Sequence, residues 1–240
     1  MGALDNIYLG EKENAFEDII KKYKSQKYCI VNFLYFANVV SQKLLENGDS
    51  DYGKAIIDGD FLLPDGIALY LYYKKFFGKK IANLNGTDFL PYFVNNFKDA
   101  DYIIYGSGEK ANKGTYEYFI NNYGIKPLYR NIGYDGKFVD LAKENIRFTN
   151  ENRVLLVALG TPTQEIWIKN NIEFIKNNNL LVFSVGGLFD FLGGTEKRAP
   201  YAIRAIKLEW ARRLITNPKK NYKKVLNSLI ILKILLKNKN

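Results

Sequence analysis

The stretch Arg153–Pro162 reads RVLLVALGTP, an apolar run that stops at a glycine and leads into a helix-like segment. Similar apolar runs recur along the chain, most of them ending in a turn: Tyr28–Phe36, Ala55–Leu63, Asp101–Tyr105 and Leu180–Val185. Short runs that do not alternate apolar with polar residues are typical of parallel strands buried on both faces. The sequence therefore predicts an α/β fold with a Rossmann-like parallel sheet flanked by helices.

The composition narrows the chemistry that the chain can perform. It has no histidine, which excludes Ser-His-Asp and Cys-His catalysis and histidine-ligated metals. A general base that works near neutral pH is therefore expected to be a carboxylate. The one cysteine, Cys29, lies in an apolar run and is predicted to be a buried core thiol in a reducing cytoplasm. The N-terminal residues carry no secretory signal pattern.

The positive charge is concentrated at the C-terminus. Residues 195–240 contain 13 Lys and Arg against two acids, a net charge of +11, so residues 1–194 carry about −1 of the total of +10. We therefore divide the chain into a body, 1–194, and a basic helical appendage, 195–240. Such an appendage suits an anionic membrane, a nucleic acid or an anionic ligand.

The appendage also contains an apolar stretch, Val225–Leu236, that is too short and too polar to span a bilayer. Its alternation of lysines with Leu and Ile favours a helix that lies in the membrane interface over nucleic-acid binding. The alternative is a helix packed on the body or on a partner subunit.

Two short motifs have a functional and a structural interpretation. Gly106-Ser107-Gly108, followed by Ala111, fits a dinucleotide-binding turn, but no acid follows at the required spacing, which favours a structural turn. Asp58-Gly59-Asp60 resembles a metal-holding D-x-D triplet, yet glycine between two acids more often marks a turn.

Three segments are candidates for a ligand site at the carboxyl edge of the sheet. Asp65, in Pro64-Asp65-Gly66, is either a catalytic carboxylate or a helix cap. Thr161 and Pro162 are expected as the N-cap and first residue of a helix whose Gln164 hydrogen-bonds a base or sugar. The four glycines between Gly186 and Gly194 favour close approach to a ligand, with Arg198 suited to a diphosphate.

Taken in order, the motifs resemble the WecG/TagA/CpsF family, glycosyltransferase family 26. The segments that carry the resemblance are Pro64–Gly66, Asn85–Asp88, Gly133–Phe138, Ala158–Glu165, Val185–Phe191, Arg198–Pro200 and Leu208–Leu214.

This resemblance implies an inverting, metal-independent enzyme without a cofactor. The expected donor is a UDP-sugar, with N-acetylmannosamine or another N-acetylhexosamine as the sugar, and the acceptor is a sugar on a polyprenyl diphosphate. The enzyme would act in teichoic acid or surface polysaccharide synthesis, peripherally on the cytoplasmic face of the cell membrane. A UDP-glucose-using member, a nicotinamide-dependent oxidoreductase and a nucleic-acid-binding protein stay open as alternatives, as does a homo-oligomer.

The resemblance also assigns residues. It makes Asp65 the catalytic base. The residues expected to bind the donor are Asn32, Asn38, Gly66, Thr87, Asp88, Thr161, Gln164, Glu165, Gly186, Gly187 and Asp190. The residues expected at the diphosphate are Arg198, Arg213, Lys220 and Lys223. Asn83 stands where many members have Arg, and the appendage often has Lys for Arg, so the donor sugar is left open.

Overall fold

The computed structural model of the chain describes residues 3–45, 50–133, 138–200, 215 and 218–237, and for 218–221, 224 and 237 it describes only the backbone. The family-like segment Leu208–Leu214, which includes Arg213, therefore lies outside the described residues.

Six parallel strands form one sheet, which confirms the predicted fold class. The spatial order is β2-β1-β6-β5-β3-β4, and every neighbouring pair is parallel. The strands are β1 Cys29–Tyr35, β2 Phe61–Asp65, β3 Asp101–Gly106, β4 Tyr129–Asn131, β5 Arg153–Ala158 and β6 Leu181–Ser184.

Helices cover both faces of this sheet. The α-helices are α1 Lys12–Gln26, α2 Phe36–Ser41, α3 Asp51–Ile57, α4 Ile67–Phe76, α5 Gly86–Asn96, α6 Glu109–Tyr118, α7 Thr163–Asn170, α8 Ile172–Asn177, α9 Leu188–Leu192 and α10 Pro218–Lys237. Short 3₁₀ helices span Ala3–Asn6 and Leu141–Lys143, and a π-helix spans Phe119–Tyr123. One face packs against α1, α5, α6 and α9, and the other packs against α2, α3, α4, α7 and α8.

Burial on both faces explains why the strands read as unbroken apolar runs. In β1, Val31 and Phe33 join the core under α1 and α5, while Ile30 and Leu34 face the helices on the opposite side. Neither face meets water, so selection for apolar side chains applies at every position rather than at alternate ones. Cys29 is fully buried in this core, as predicted, and burial raises the pKa of its thiol.

Two sequence expectations change in detail. The apolar run Ala55–Leu63 is not one strand, because its first residues end α3 and only Phe61 onward belongs to β2. The run Tyr28–Phe36 divides at Phe36, where β1 passes directly into α2. A short apolar run is compatible with the end of a helix as well as with a strand, so periodicity alone does not separate them.

The C-terminal helix α10 packs on the body against α2 and α4. Val225 and Ile231 are buried, and Ile231 joins the apolar cluster of those two helices. On the side of the helix away from Ile231, five large side chains are exposed: Tyr222, Leu226, Leu229, Leu232 and Leu236. Among the helices that the structure describes, none combines the length and the apolar character needed to cross a bilayer.

Candidate functional site

The carboxyl ends of four adjacent strands bring most of the predicted site residues to one edge of the sheet. Asp65 ends β2, Tyr35 ends β1 beside it, the Gly186-Gly187 turn follows β6, and Gly160 follows β5. Neighbouring strands lie about 4.8 Å apart, so the turns after β2 and β5 are roughly 14 Å apart. A single elongated ligand can therefore contact all four turns.

Asp65 is half-buried at the turn from β2 into α4. The turn depends on Gly66, whose φ of 95° favours glycine and where a Cβ would come within 3.0 Å of the Tyr35 ring. The Gly66 N–H donates to Asn83 Oδ1 at 2.8 Å, and the Leu84 N–H donates to the Pro64 carbonyl at 2.8 Å. The chain after α4 thus returns to hold the backbone on both sides of Asp65.

The next residues along that returning chain form a second cluster at the start of α5. The Asn85 side chain caps this helix by accepting from the Asp88 N–H at 3.0 Å. Arg198 donates to the Thr87 carbonyl at 3.1 Å, to Thr87 Oγ1 at 3.0 Å and to Asp88 Oδ1 at 2.7 Å. Thr87, Asp88 and Arg198 were predicted as ligand contacts, and the structure shows that they bind one another. Whether they also bind the donor stays a prediction.

At the ends of β5 and β6, Gln164 links the two turns. Its Oε1 accepts from the Gly186 N–H at 3.0 Å, and its Nε2 donates to Glu165 Oε1 at 2.8 Å. Thr161 donates its hydroxyl to the same Glu165 oxygen at 3.0 Å. The expected N-cap role of Thr161 is wrong, because α7 begins at Thr163 after Pro162 and the Thr161 hydroxyl binds Glu165 instead.

Glu165 is almost completely buried, with 1% of its surface exposed. Burial raises the pKa of its carboxyl, and the hydrogen bonds from Gln164 and Thr161 offset part of that rise. A carboxyl in this position orients Gln164 and Thr161 rather than presenting an oxygen to solvent. Its predicted role as a donor contact stays a prediction, and the contacts that the structure shows are with Gln164 and Thr161.

Polar side chains continue behind Glu165, between the sheet and helices α3 and α7. Tyr52 of α3 is buried, and burial together with the nearby Glu165 carboxyl raises the pKa of its hydroxyl. Asn32 and Ser184 lie one residue beyond the β1–β6 pair Val31 and Phe183 and are also buried. Asn32, in mid-strand with 1% exposure, is the predicted donor residue that the structure does not bring to the edge. Asn38, half-buried in α2, is closer to it.

The turn after β6 leads to Asp190 in α9. Gly187 is exposed, and a Cβ there would lie 3.7 Å from Asp190 Oδ2. Thr195 donates its hydroxyl to Asp190 Oδ1 at 3.1 Å, and the Glu196 N–H donates to the Asp190 carbonyl at 2.8 Å. Asp190 thereby anchors the segment from Thr195 onward, and Arg198 in that segment contacts the start of α5.

Of the cations predicted for the diphosphate, Arg198 lies at this edge and Lys223 is exposed on α10, 6.0 Å from the Tyr222 ring centre. Arg213 and the Lys220 side chain lie outside the described residues. Their role stays a prediction.

In the structure, the first glycine of the dinucleotide-like motif Gly106-Ser107-Gly108 is needed for packing. Gly106 has a φ of 105°, and a Cβ there would lie 2.7 Å from the carbonyl carbon of Ala158 on β5. The glycine is thus required by the approach of two strands, as the missing acid suggested. Asn112 secures the same turn by donating to the Gly106 and Asn131 carbonyls at 2.8 and 2.9 Å.

Asp58-Gly59-Asp60 lies at the amino end of β2, opposite the candidate site. Asp58 pairs with Lys169 at 2.8 Å, and Asp60 pairs with Lys22 at 3.6 Å and accepts from the Ile30 N–H at 2.9 Å. Both carboxylates therefore hold the body together at that edge.

A family model described as glycosyl transferase WecG/TagA/CpsF family matches residues 4–240. The chain belongs to this family. The match covers the body and the appendage alike, so both Asp65 and α10 fall within the region that the WecG/TagA/CpsF family shares.

Similar relatives carry the name N-acetylglucosaminyldiphosphoundecaprenol N-acetyl-beta-D-mannosaminyltransferase. One, from Bacillus subtilis (strain 168), is 30% identical over 175 residues, covering 71% of this chain and 66% of the relative. Another, from Bacillus spizizenii (strain ATCC 23059 / NRRL B-14472 / W23), is 29% identical over 171 residues, covering 70% and 65%. The matched part of this WecG/TagA/CpsF member thus spans just under two thirds of the length of these two relatives.

Two contributors to the site were not predicted from the sequence as site residues. Asn83 holds the Gly66 N–H, although in the sequence it drew attention only as a departure from the family pattern. Tyr52 lies in an ordinary-looking helix, and no sequence signal indicates that it is buried near Glu165.

Proposed function

We propose that the chain is an inverting glycosyltransferase that moves an N-acetylhexosamine, N-acetylmannosamine first, from a UDP-sugar to a sugar on a polyprenyl diphosphate. The proposal rests on family membership and on the names of the relatives. The observation that carries the site is the Asp65 carboxylate, held at the end of β2 in one row with the turns after β6 and β5.

In this proposal Asp65 takes the proton from the attacking hydroxyl of the acceptor sugar. The hydroxyl oxygen then forms a bond to the anomeric carbon of the donor while the bond from that carbon to the diphosphate breaks. UDP leaves with the electron pair, and one displacement inverts the anomeric centre. A single carboxylate base suffices for this chemistry.

The leaving diphosphate needs positive charge to stabilise it. We assign that task to four cations of the appendage, Arg198, Arg213, Lys220 and Lys223. The uridine and sugar would lie along the turns that Gln164 links, which places the anomeric carbon towards Asp65.

A lipid-linked acceptor brings the enzyme to a membrane, and α10 has the surface for that contact. Its exposed row of Tyr222, Leu226, Leu229, Leu232 and Leu236 lies opposite the side that packs on the body. An amphipathic helix of this kind binds with its apolar side chains in the headgroup region. We propose peripheral binding to the inner face of the cell membrane.

The test is a transfer assay with a panel of UDP-sugars and a short-chain polyprenyl-diphosphate N-acetylglucosamine acceptor, with and without chelator. Asp65→Asn is expected to reduce UDP release by about two orders of magnitude, the usual contribution of a general base. Asp58→Asn is the matched control, because it removes a carboxylate at the opposite edge of the sheet. We expect chelator to have little effect.

Near-wild-type turnover of Asp65→Asn would show that another group is the base. If no UDP-sugar in the panel gave product with the wild-type chain, the proposed acceptor or donor class would be wrong.

A further inference from the structure

The end of α4 carries a basic and aromatic surface that the candidate site does not use. Residues 74–80 read KKFFGKK, and Lys74, Lys75, Phe77, Lys79 and Lys80 are all exposed. Among ion pairs between two described residues, none involves any of these four lysines. Burial and the charge of the nearby Asp5 raise the pKa values of Tyr72 and Tyr73, the two residues that precede this surface. We call residues 74–80 the basic turn.

Phe77 is held in place although 44% of its surface is exposed. Its ring stacks on Tyr73 with 4.9 Å between centroids and lies 6.1 Å from Tyr72. Tyr72 in turn packs against Phe36 of α2 at 5.8 Å. A rigid aromatic ring between lysines is the combination that proteins place at the level of lipid headgroups.

The basic turn lies beside α10. Tyr73, just before it, and Ile81, just after it, belong to the same buried cluster as Ile231 of α10. The exposed leucine row of α10 and the lysines of the basic turn are therefore carried by two elements that pack together. Lys223 and Lys233 add charge on α10 itself.

We propose that the basic turn is a second membrane contact, which binds anionic lipid headgroups next to α10. An apolar anchor alone holds a protein weakly, and a polybasic patch beside it makes the attachment stable. Two contacts also restrict rotation of the body on the membrane. Because α4 begins at the Asp65 turn and has 10 residues, the basic turn lies about 15 Å along the helix from the base. The inference rests on the proposed membrane-bound acceptor.

The experiment uses the full chain and vesicles of equal parts phosphatidylglycerol and phosphatidylcholine at low salt. The variant Lys74→Ala, Lys75→Ala, Lys79→Ala, Lys80→Ala is expected to bind up to about a thousandfold more weakly, since each of the four lysines near such a surface contributes up to about 1 kcal/mol. The difference should disappear at high salt. Phe77→Ser should weaken binding less, and its effect should persist in salt because the contribution is apolar.

A matched control removes the same charge from the opposite face of the sheet: Lys21→Ala, Lys24→Ala, Lys113→Ala, Lys126→Ala, four exposed lysines in or near α1 and α6. It should bind the charged vesicles almost as well as wild type. Both variants should turn over a short-chain acceptor in solution at the wild-type rate, which checks folding and separates binding from catalysis.

Equal binding losses in the two quadruple variants would overturn the basic turn as a site and leave only the effect of net charge. Undiminished binding of the basic-turn variant, with α10 leucine variants impaired, would overturn this inference and leave the proposed function intact. Failure of the wild-type chain to bind any vesicle would instead count against the proposed membrane docking. Salt-sensitive binding to duplex DNA that the basic-turn variant loses, without preference for anionic vesicles, would reassign the turn to nucleic acid.

Discussion

At the residue scale, Glu165 combines deep burial with two accepted hydrogen bonds at one oxygen, from Gln164 and Thr161. The pKa of Glu165 is raised above its ordinary 4.5 because burial disfavours the charged form. The folded chain thus holds the proton more tightly than the unfolded chain. The stability that this group contributes is fully present below about pH 4.5 and is lost as the pH rises through the folded-state pKa.

Glu165→Gln cannot ionise but keeps a carbonyl oxygen that accepts both bonds. We therefore expect the melting temperature of Glu165→Gln to rise relative to that of wild type as the pH is raised above about 4.5. Glu165→Leu removes the acceptor and should lose about 1–3 kcal/mol of unfolding free energy and impair turnover. Thermal denaturation over a pH series distinguishes them. A difference in melting temperature between Glu165→Gln and wild type that stays the same at every pH would contradict the raised pKa of Glu165.

Arg198 poses a different question at the same scale, since its guanidinium already contacts Thr87 and Asp88. If its main task is to tie its segment to α5, Arg198→Ala and Asp88→Asn should not be additive. A double-mutant cycle in urea is expected to give a coupling of about 1 kcal/mol, the upper range for partly exposed pairs. A direct diphosphate role would appear separately, as a higher KM for the UDP-sugar in Arg198→Lys with stability retained. Zero coupling would argue that the pair is incidental.

At the element scale, the contact between α6 and α9 is closer than side chains permit. A Cβ on Gly193 would lie 2.2 Å from the Ala111 carbonyl oxygen, and one on Gly114 would lie 2.5 Å from the Gly193 carbonyl oxygen. The glycine run after β6 was interpreted as a sign of ligand approach. At Gly193 the cause is instead helix packing, whereas the Gly186-Gly187 turn lies at the carboxyl edge of the sheet, where ligand binding stays a prediction.

Gly193→Ala should therefore destabilise the protein by about 2 kcal/mol or more, because backbone must move to admit the methyl group. Gly108→Ala is the matched control: a Cβ there meets nothing within 4 Å and its φ is −71°. That change should cost less than about 1 kcal/mol. Chemical denaturation measures both, and equal losses would refute the packing explanation.

At the scale of the whole molecule, α10 has a side that is buried on the body and a side that is exposed. Ile231 is 4% exposed within the cluster of α2 and α4, whereas Leu226, Leu232 and Leu236 are at least 50% exposed. Removing the whole appendage would uncover the buried cluster, so point substitutions give the cleaner test. The division into a body and an appendage stays a prediction.

The triple variant Leu226→Ser, Leu232→Ser, Leu236→Ser should lose vesicle binding and keep the wild-type melting temperature. Ile231→Ala should do the reverse, with a loss of about 2–5 kcal/mol in unfolding free energy as for other buried isoleucines. Vesicle co-sedimentation and thermal denaturation of the two variants decide the point. A large drop in melting temperature for the serine variant would place those leucines in a protein contact.

The sequence by itself determined the parallel α/β class, since strands buried on both faces must be apolar along their buried length, as β5 is from Val154 to Ala158. It also determined that Asp65 sits at a turn, because Pro64 and Gly66 restrict the backbone around it. Only the tertiary structure decided which polar groups meet: Asn83 with Gly66, Arg198 with Asp88, and Gln164 with Gly186. These partners are separated by many residues, and their contacts depend on strand order and helix placement, which leave no periodic mark in the chain. For the same reason the two sides of α10 became distinct only once the body supplied a surface for one of them.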